Sequence, residues 1–181
     1  MLRQDTEDNQ EGGMPTLVEL LLPEFDAEMA STRKVLEAVP EERFDWRPHA
    51  KSFTMGRLAG HVAEISSWTS DTLQKGRLDL VAGNQPENTT FQPASHAQLM
   101  EKFDRWVKQA RADLAATNDA ALEQTWVMTW NGQEILRLPR RETIRTWVLN
   151  HTIHHRAQLG VYLRLNDVKV PGVYGPSADE K

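Results

Sequence analysis

The chain has 181 residues and no cysteine, and 21 basic against 26 acidic residues give it a net charge of −5. A chain of this length can form one domain with a substantial core. It lacks the basic excess that binding to a phosphate backbone requires, so we expect no nucleic-acid partner. The absence of cysteine excludes disulfides, thiolate metal ligands and cysteine nucleophiles, so any metal must be held by nitrogen and oxygen atoms.

Residues 1–13 are polar and acidic, contain no apolar residue after Leu2 and end in Glu-Gly-Gly. This composition predicts a disordered N-terminal tail, followed by a folded domain at 14–181. The tail does not resemble a signal peptide, and no apolar run approaches the ~18 residues that a membrane span needs. We therefore expect a cytoplasmic protein without a membrane partner.

The first predicted helix begins near Met14 and ends at Pro40, because its apolar residues recur at roughly helical spacing. A loop follows, and Thr54 is a suitable N-cap for a second helix that ends near Lys75. One stripe of this second helix collects a set of mostly apolar residues, namely Leu58, His61, Ile65, Trp68 and Thr72. His61 is therefore expected on the buried face of the second helix.

Ser95 and Gln98 resemble a capping box at the start of a third helix. Two strand-like runs at 125–130 and 133–138 flank Asn131-Gly132, which is a strong signal for a two-residue β-hairpin. The fourth helix is predicted to begin at 140–143 and to end near 165. Together these elements predict an all-α protein, an antiparallel four-helix bundle with a small β-hairpin before the last helix.

The fourth helix places His151 and His155 four residues apart, so the two imidazoles point the same way. Leu149, Ile153 and Leu163 are expected on the opposite side of this helix. A helix with two apolar sides needs a second contact, with the hairpin, the tail or another subunit. Of these we expect another subunit, in a homodimer formed through the bundle helices.

Two histidines one turn apart can bind one divalent ion, and a third ligand is expected from His61. Bundles build metal sites from side chains on facing helices, so the ninety residues between His61 and His151 are no obstacle. For each histidine alone, a hydrogen-bonded core residue is the more common role. Three unpaired imidazoles in a core would be costly, and this favours a metal site at His61, His151 and His155.

Several neighbouring side chains are candidates for assisting a reaction at this site. Glu64 is three residues after His61 and could handle protons, although an exposed, ion-paired glutamate is equally consistent with the sequence. Gln158 is one turn after His155 and could orient a ligand or contact a substrate, with simple packing as the alternative. His154 is expected at the edge of the helix face that carries His151 and His155. There it would lie on the surface or contact one of the metal-binding histidines without binding the metal itself.

The sequence around the histidines argues against two known classes of metal site. Thr152 follows His151, where the zinc-protease pattern needs a glutamate as general base. The chain also lacks the paired Glu-x-x-His segments of di-iron bundles. Three neutral imidazoles would leave a coordination position open to a water or an anionic substrate.

Four stretches resemble the DinB family of DNA-damage-inducible proteins. They are Phe44-Asp-Trp-Arg-Pro-His49 with Lys51-Ser52, Leu58-Ala-Gly-His61, the segment 150–164 and the segment 170–177. The resemblance covers about residues 15–178. It implies a four-helix bundle, often dimeric, with a three-histidine site for a divalent metal such as nickel or zinc. The family's ligand positions fall on His61, His151 and His155.

The resemblance also implies a choice of functions. Relatives with known chemistry are transferases or isomerases that use mycothiol, bacillithiol or glutathione. The leading hypothesis is accordingly a metal-dependent enzyme that transfers a group to or from a low-molecular-weight thiol, with a small-molecule substrate. The alternatives are a metal-binding stress-response protein without catalysis, and a metal-dependent hydrolase.

Overall fold

A computed structural model describes residues 14–82, 85–86 and 91–180 of the chain. The predicted tail at 1–13 lies outside the described residues. Helices make up most of the described chain, as the sequence predicted, and a small sheet accompanies them. Within the described part, no helix combines the length and apolar character needed to cross a membrane.

Helix α1 comprises Leu17–Glu37 and begins at a reciprocal capping box between Thr16 and Glu19. Its buried face carries Leu21 and Phe25, at the helical spacing that the sequence predicted. Pro23 lies inside the first turns of the helix and does not end it.

The predicted second helix is interrupted and forms two helices, α2 at Met55–Ile65 and α3 at Trp68–Gln74. The Ser66 hydroxyl donates to the carbonyl oxygen of Ala63 at 3.0 Å, and the Ser67 hydroxyl donates to that of Glu64 at 2.7 Å. Hydroxyls that bond back to the helix in this way compete with the regular ladder. The N-cap prediction is confirmed, because the Thr54 side chain accepts from the Arg57 N–H.

The prediction of a β-hairpin as the only β-structure is wrong, because the sheet has three strands and is mixed. Strands β4 (Thr125–Trp130) and β5 (Gln133–Pro139) pair antiparallel around the predicted Asn131-Gly132 turn, where both residues have positive φ. Strand β1 (Arg77–Asp79) adds to β4 in parallel. The open edge of β4 supplies hydrogen-bond partners for the β1 backbone, and Asp79 also accepts the Gly132 N–H at 2.7 Å. A separate short pair joins β2 (Val81–Ala82) to β3 (Gln85–Pro86).

Helix α4 comprises His96–Ala116, and the short helix α5 comprises Asp119–Leu122. Ser95 caps α4 as predicted by accepting the Gln98 N–H, but the Gln98 side chain accepts from Ala94 N–H rather than from the cap residue. Helix α4 packs against α1, α2 and α3.

The last helical segment is not a regular α-helix throughout. It consists of α6 (Arg140–Thr143), a π-helical segment at Ile144–Asn150, and α7 (His151–Leu165). The wider π turn changes the face on which later residues lie. Leu149 and Leu163 belong to the core, at 1% and 0% exposure, so the protein's own core covers these two residues of the predicted second apolar side. The exposed large apolar residues of α7 are Val161 and Leu165.

A buried ion pair joins α7 to α1. The Arg156 side chain is 3% exposed, and its guanidinium lies 2.7 Å from the Glu28 carboxylate, which is 12% exposed. Arg156 also donates to the Thr32 hydroxyl at 3.1 Å and to the Tyr174 hydroxyl at 2.6 Å. These contacts fix α7 against α1 on one side, while α2 packs against α7 on the other.

Candidate metal centre

The three predicted histidines meet where α2 packs against α7. His61 belongs to α2, and His151 and His155 occupy the first turns of α7. One ring nitrogen from each lies within 4.8 Å of the other two. His61 Nε2 and His151 Nε2 are 3.4 Å apart. In the described ranges, these residues form the single cluster of three or more such side chains able to hold a metal ion.

The donor set fits a divalent ion. Two nitrogens at about 2.0–2.1 Å from one tetrahedral zinc ion lie about 3.3–3.4 Å from each other. The observed separation of 3.4 Å between His61 Nε2 and His151 Nε2 matches this geometry. Imidazole nitrogens suit zinc, nickel and copper. The site contains no thiolate ligand, because the chain has no cysteine.

Glu64 holds the ring of His61 in place. One carboxylate oxygen lies 2.8 Å from His61 Nδ1, and the other accepts the backbone N–H of Phe91 at 2.7 Å. A carboxylate can only accept, so Nδ1 carries the proton and Nε2 offers its lone pair towards His151. The segment after Phe91 packs tightly on α2, since a Cβ on Gly60 would lie 2.1 Å from the Phe91 carbonyl oxygen.

Gln158 has the corresponding relation to His155. Its amide oxygen lies 2.9 Å from His155 Nδ1, and its amide nitrogen lies 3.0 Å from His154 Nε2. The oxygen accepts from His155 Nδ1, which leaves Nε2 of His155 free to bind an ion. His154 itself is exposed and contacts the site through Gln158.

Aromatic rings surround the imidazoles. The ring of Trp68 lies 5.7 Å from that of His61 and 5.3 Å from that of His151, and Trp147 lies 5.8 Å from His151. The Phe53 ring meets His61 edge-on at 6.2 Å. These rings remove water from one side of the cluster, and all three imidazoles are only partly exposed.

Burial favours the neutral form of His151 and His155 by lowering the pKa of each. It lowers the pKa of His151 to about 4, with a smaller contribution from the positive charges that His155, His61 and His154 would carry. Burial also lowers the pKa of His155, although the Gln158 hydrogen bond opposes this effect. Neutral imidazole is the form that binds a metal, so protons compete weakly at neutral pH.

A cavity of about 390 Å³ opens beside His155. Its volume is in the range of small-molecule sites. The lining combines apolar and polar side chains, namely Ser52, Phe53, Leu58, His155, Gln158 and Tyr162. A separate and more apolar cavity of about 370 Å³ adjoins Arg156 and Tyr174, and its lining contains no histidine.

The other two histidines lie apart from this cluster. His49 is exposed in a loop and accepts the Lys51 N–H at 3.1 Å. His96 begins α4, and its Nε2 lies 3.1 Å from the Leu36 carbonyl oxygen. The sequence pattern also places Trp147 on the face of His151, four residues before it, and the two rings are in contact. Sequence reasoning missed two neighbours of the site, the Phe91 backbone and Arg57. Of these, Arg57 had a usable signal, because it precedes His61 by four residues on the same helix.

Fold and site together define a mostly helical protein with a three-histidine candidate metal centre between two packed helices. The chain belongs to the DinB family, whose model matches residues 14–181.

Relatives and solved structures agree with this assignment. The chain is 27% identical over 158 residues to the uncharacterized protein YrdA of Bacillus subtilis (strain 168), covering 87% of this chain and 86% of the relative. A DinB-like protein from Bacillus cereus ATCC 10987 superposes with a TM-score of 0.65 at 23% identity, covering 88% of this chain and 98% of that one. A DinB-like protein from Bacillus subtilis superposes with a TM-score of 0.63 at 14% identity, covering 90% of this chain and 99% of that one. At these identities the two structures support the fold alone.

Proposed function

We propose that this protein is a divalent-metal-dependent enzyme that transfers a group to or from a low-molecular-weight thiol. The observation that carries the proposal is the convergence of three imidazoles, one of which, His155, lines an open cavity of about 390 Å³. His61, His151 and His155 would hold the ion, and nickel or zinc suits these nitrogen ligands. Such an ion supplies a positive charge that favours the thiolate form of a thiol and so makes it a nucleophile.

In this proposal Glu64 and Gln158 are positioning residues. Each holds the Nδ1 side of one ligand ring, so that the Nε2 lone pair faces the cluster. Partners of this kind typically change metal affinity about 10–100-fold when removed. His154 would act through Gln158, whose amide it contacts.

The accessible cavity favours an enzyme over the non-catalytic alternative, because structural ions are usually enclosed by four protein ligands. The occupied oxygens of Glu64 also favour thiol transfer over hydrolysis. Both carboxylate oxygens already accept hydrogen bonds, from His61 and from Phe91, which leaves Glu64 poorly placed as a general base for water. A thiol needs no such base once its pKa is lowered.

For the architecture, we propose a four-helix bundle formed by α1, α2 with α3, α4 and the last helical segment. We also propose a homodimer that buries Val161 and Leu165, which are 58% and 57% exposed on α7. Light scattering at high micromolar concentration tests the dimer. A monomeric mass would contradict it.

The enzymatic proposal is tested with tag-free protein loaded with nickel or zinc and assayed against a panel of small thiols and electrophilic acceptors. The His155→Ala variant should lose the transfer activity while its helical circular dichroism persists, because the apolar stripes supply most of the folding free energy. His96→Gln is the control, because His96 lies outside the cluster. Full activity of His155→Ala on a confirmed substrate would refute the proposal.

A further inference from the structure

We infer that Arg57 recognises an anionic group of the small molecule, so that the cavity beside His155 takes a short thiol bearing a carboxylate. This inference rests on the function proposed above and specifies its substrate class. It follows from the place of Arg57 on α2, from its charge and from the composition of the cavity lining.

Arg57 lies one helical turn before His61 on the same face of α2. Both side chains pack on Phe53. The Arg57 guanidinium carbon lies 3.8 Å from the centre of the Phe53 ring, and the His61 ring meets the same ring edge-on at 6.2 Å. Phe53 also lines the cavity beside His155. One aromatic side chain therefore connects the cavity, a candidate metal ligand and a guanidinium.

The charge of Arg57 has no acidic partner in the part of the chain that the structure describes. Among the described residues no carboxylate lies within ion-pair distance of Arg57, whereas Arg33, Arg111 and Arg145 each have one. Stacking on Phe53 holds the guanidinium in place while its N–H groups remain available. A planar guanidinium fixed in this way suits a carboxylate, which it can bind through two parallel hydrogen bonds.

The cavity lining does not repel an anion, and the attracting charge comes from Arg57, which stacks on the lining residue Phe53. The lining contains no carboxylate, and its polar groups are uncharged hydroxyl, amide and imidazole groups. Tyr162 donates to the Phe53 carbonyl oxygen at 3.3 Å, which fixes that part of the wall. Because Arg57 and His61 are one helical turn apart and both contact Phe53, a carboxylate on Arg57 would lie near a sulfur bound at the histidines, which a short thiol allows.

The test measures thiol binding to the nickel-loaded full-length protein through the sulfur-to-nickel charge-transfer absorption, which needs no turnover. The probes are 3-mercaptopropionate and its neutral analogue 3-mercapto-1-propanol. Wild-type protein should bind the carboxylate thiol about ten-fold more tightly than the neutral thiol. This factor corresponds to the lower part of the range for hydrogen bonds to charged groups, because Arg57 is only partly buried.

Arg57→Met keeps an apolar stem on Phe53 and should abolish that preference by weakening the carboxylate thiol alone. Arg57→Lys should retain part of it, because the charge remains. Arg105→Met is the matched control, since Arg105 is exposed on α4, whereas Arg57 stacks on the cavity residue Phe53. It should behave as wild type.

The outcomes separate the inference from the proposed function. Failure of the wild-type protein to bind nickel would overturn the function and, with it, this inference. Equal affinity of nickel-loaded wild type for both thiols, or an unchanged preference in Arg57→Met, would overturn the inference alone. Loss of nickel from Arg57→Met would show that Arg57 supports the fold of the site, and would also overturn it.

Discussion

Replacing Glu64 with glutamine should weaken zinc binding, although the substitution changes the side-chain shape little. Glu64 accepts the His61 Nδ1 proton at 2.8 Å through one oxygen and the Phe91 N–H at 2.7 Å through the other. A glutamine has one oxygen and one donor group, so in either orientation its NH₂ faces another N–H. One of the two hydrogen bonds must be lost.

The expected size follows from this loss. In one orientation the variant loses the hydrogen bond that orients His61, and in the other it loses the Phe91 hydrogen bond that holds residue 64 in place. The removal of such partners costs about 10–100-fold in metal affinity. This corresponds to about 1.4–2.8 kcal/mol. Competition titration of zinc against a chromophoric chelator at pH 7 measures the change directly.

Glu24→Gln is the matched control, because Glu24 pairs with Arg145, whose side chain is 59% exposed. It should bind zinc as tightly as wild type does. Unchanged zinc affinity in Glu64→Gln would refute the assignment of Glu64 as a positioning residue.

Two further predictions concern stability. Arg156→Met should lower the free energy of unfolding by about 3–5 kcal/mol, because it removes the cationic partner of the largely buried Glu28 carboxylate and leaves the Tyr174 hydroxyl as its donor. Arg111→Met, which breaks an exposed pair with Asp26, should cost under about 1 kcal/mol, and equal losses in urea titrations would contradict this reasoning. The metal-free protein should lose stability on acidification, because the pKa of His151 is lowered to about 4, chiefly by burial, while an unfolded histidine titrates at about 6.5. As the pH falls, the unfolded state binds the extra proton first, so the loss of stability should begin below about pH 6.5 and stop growing below about pH 4. The His151→Leu variant should lose less stability over this range. An unchanged pH dependence in that variant would refute the assignment of the effect to His151.

The three histidines could be identified from the sequence because their signal is local. His151 and His155 are one turn apart, and His61 lies on a stripe of apolar residues on its own helix. Their convergence then required only that α2 and α7 pack side by side, which is the arrangement observed. Periodicity therefore predicted which side chains meet.

The contacts that orient those side chains could not be predicted in the same way. The Phe91 N–H that binds Glu64 is a backbone group 27 residues further along the chain, and no periodicity indicates it. The stacking of Arg57 on Phe53 depends on how the loop before α2 folds back on that helix. Such contacts depend on tertiary structure, so residue types alone do not reveal them.

The differences in fold have similar causes. Strand β1 has three residues, too few to show alternation, and it forms only because β4 offers a free edge. The break after Ile65 arises from two serine hydroxyls that bond back to the helix. The π-helical segment at Ile144–Asn150 changes the angular relation between the residues before it and those of α7, and hydrophobic periodicity assumes a regular helix.

The most direct test of the account is the metal content of protein purified without an affinity tag and dialysed against equimolar nickel and zinc. Elemental analysis should give about one divalent ion per chain for wild type and His96→Gln, and almost none for His151→Ala. Wild-type protein that retains no metal, or His151→Ala protein that retains as much as wild type, would contradict a metal centre at His61, His151 and His155.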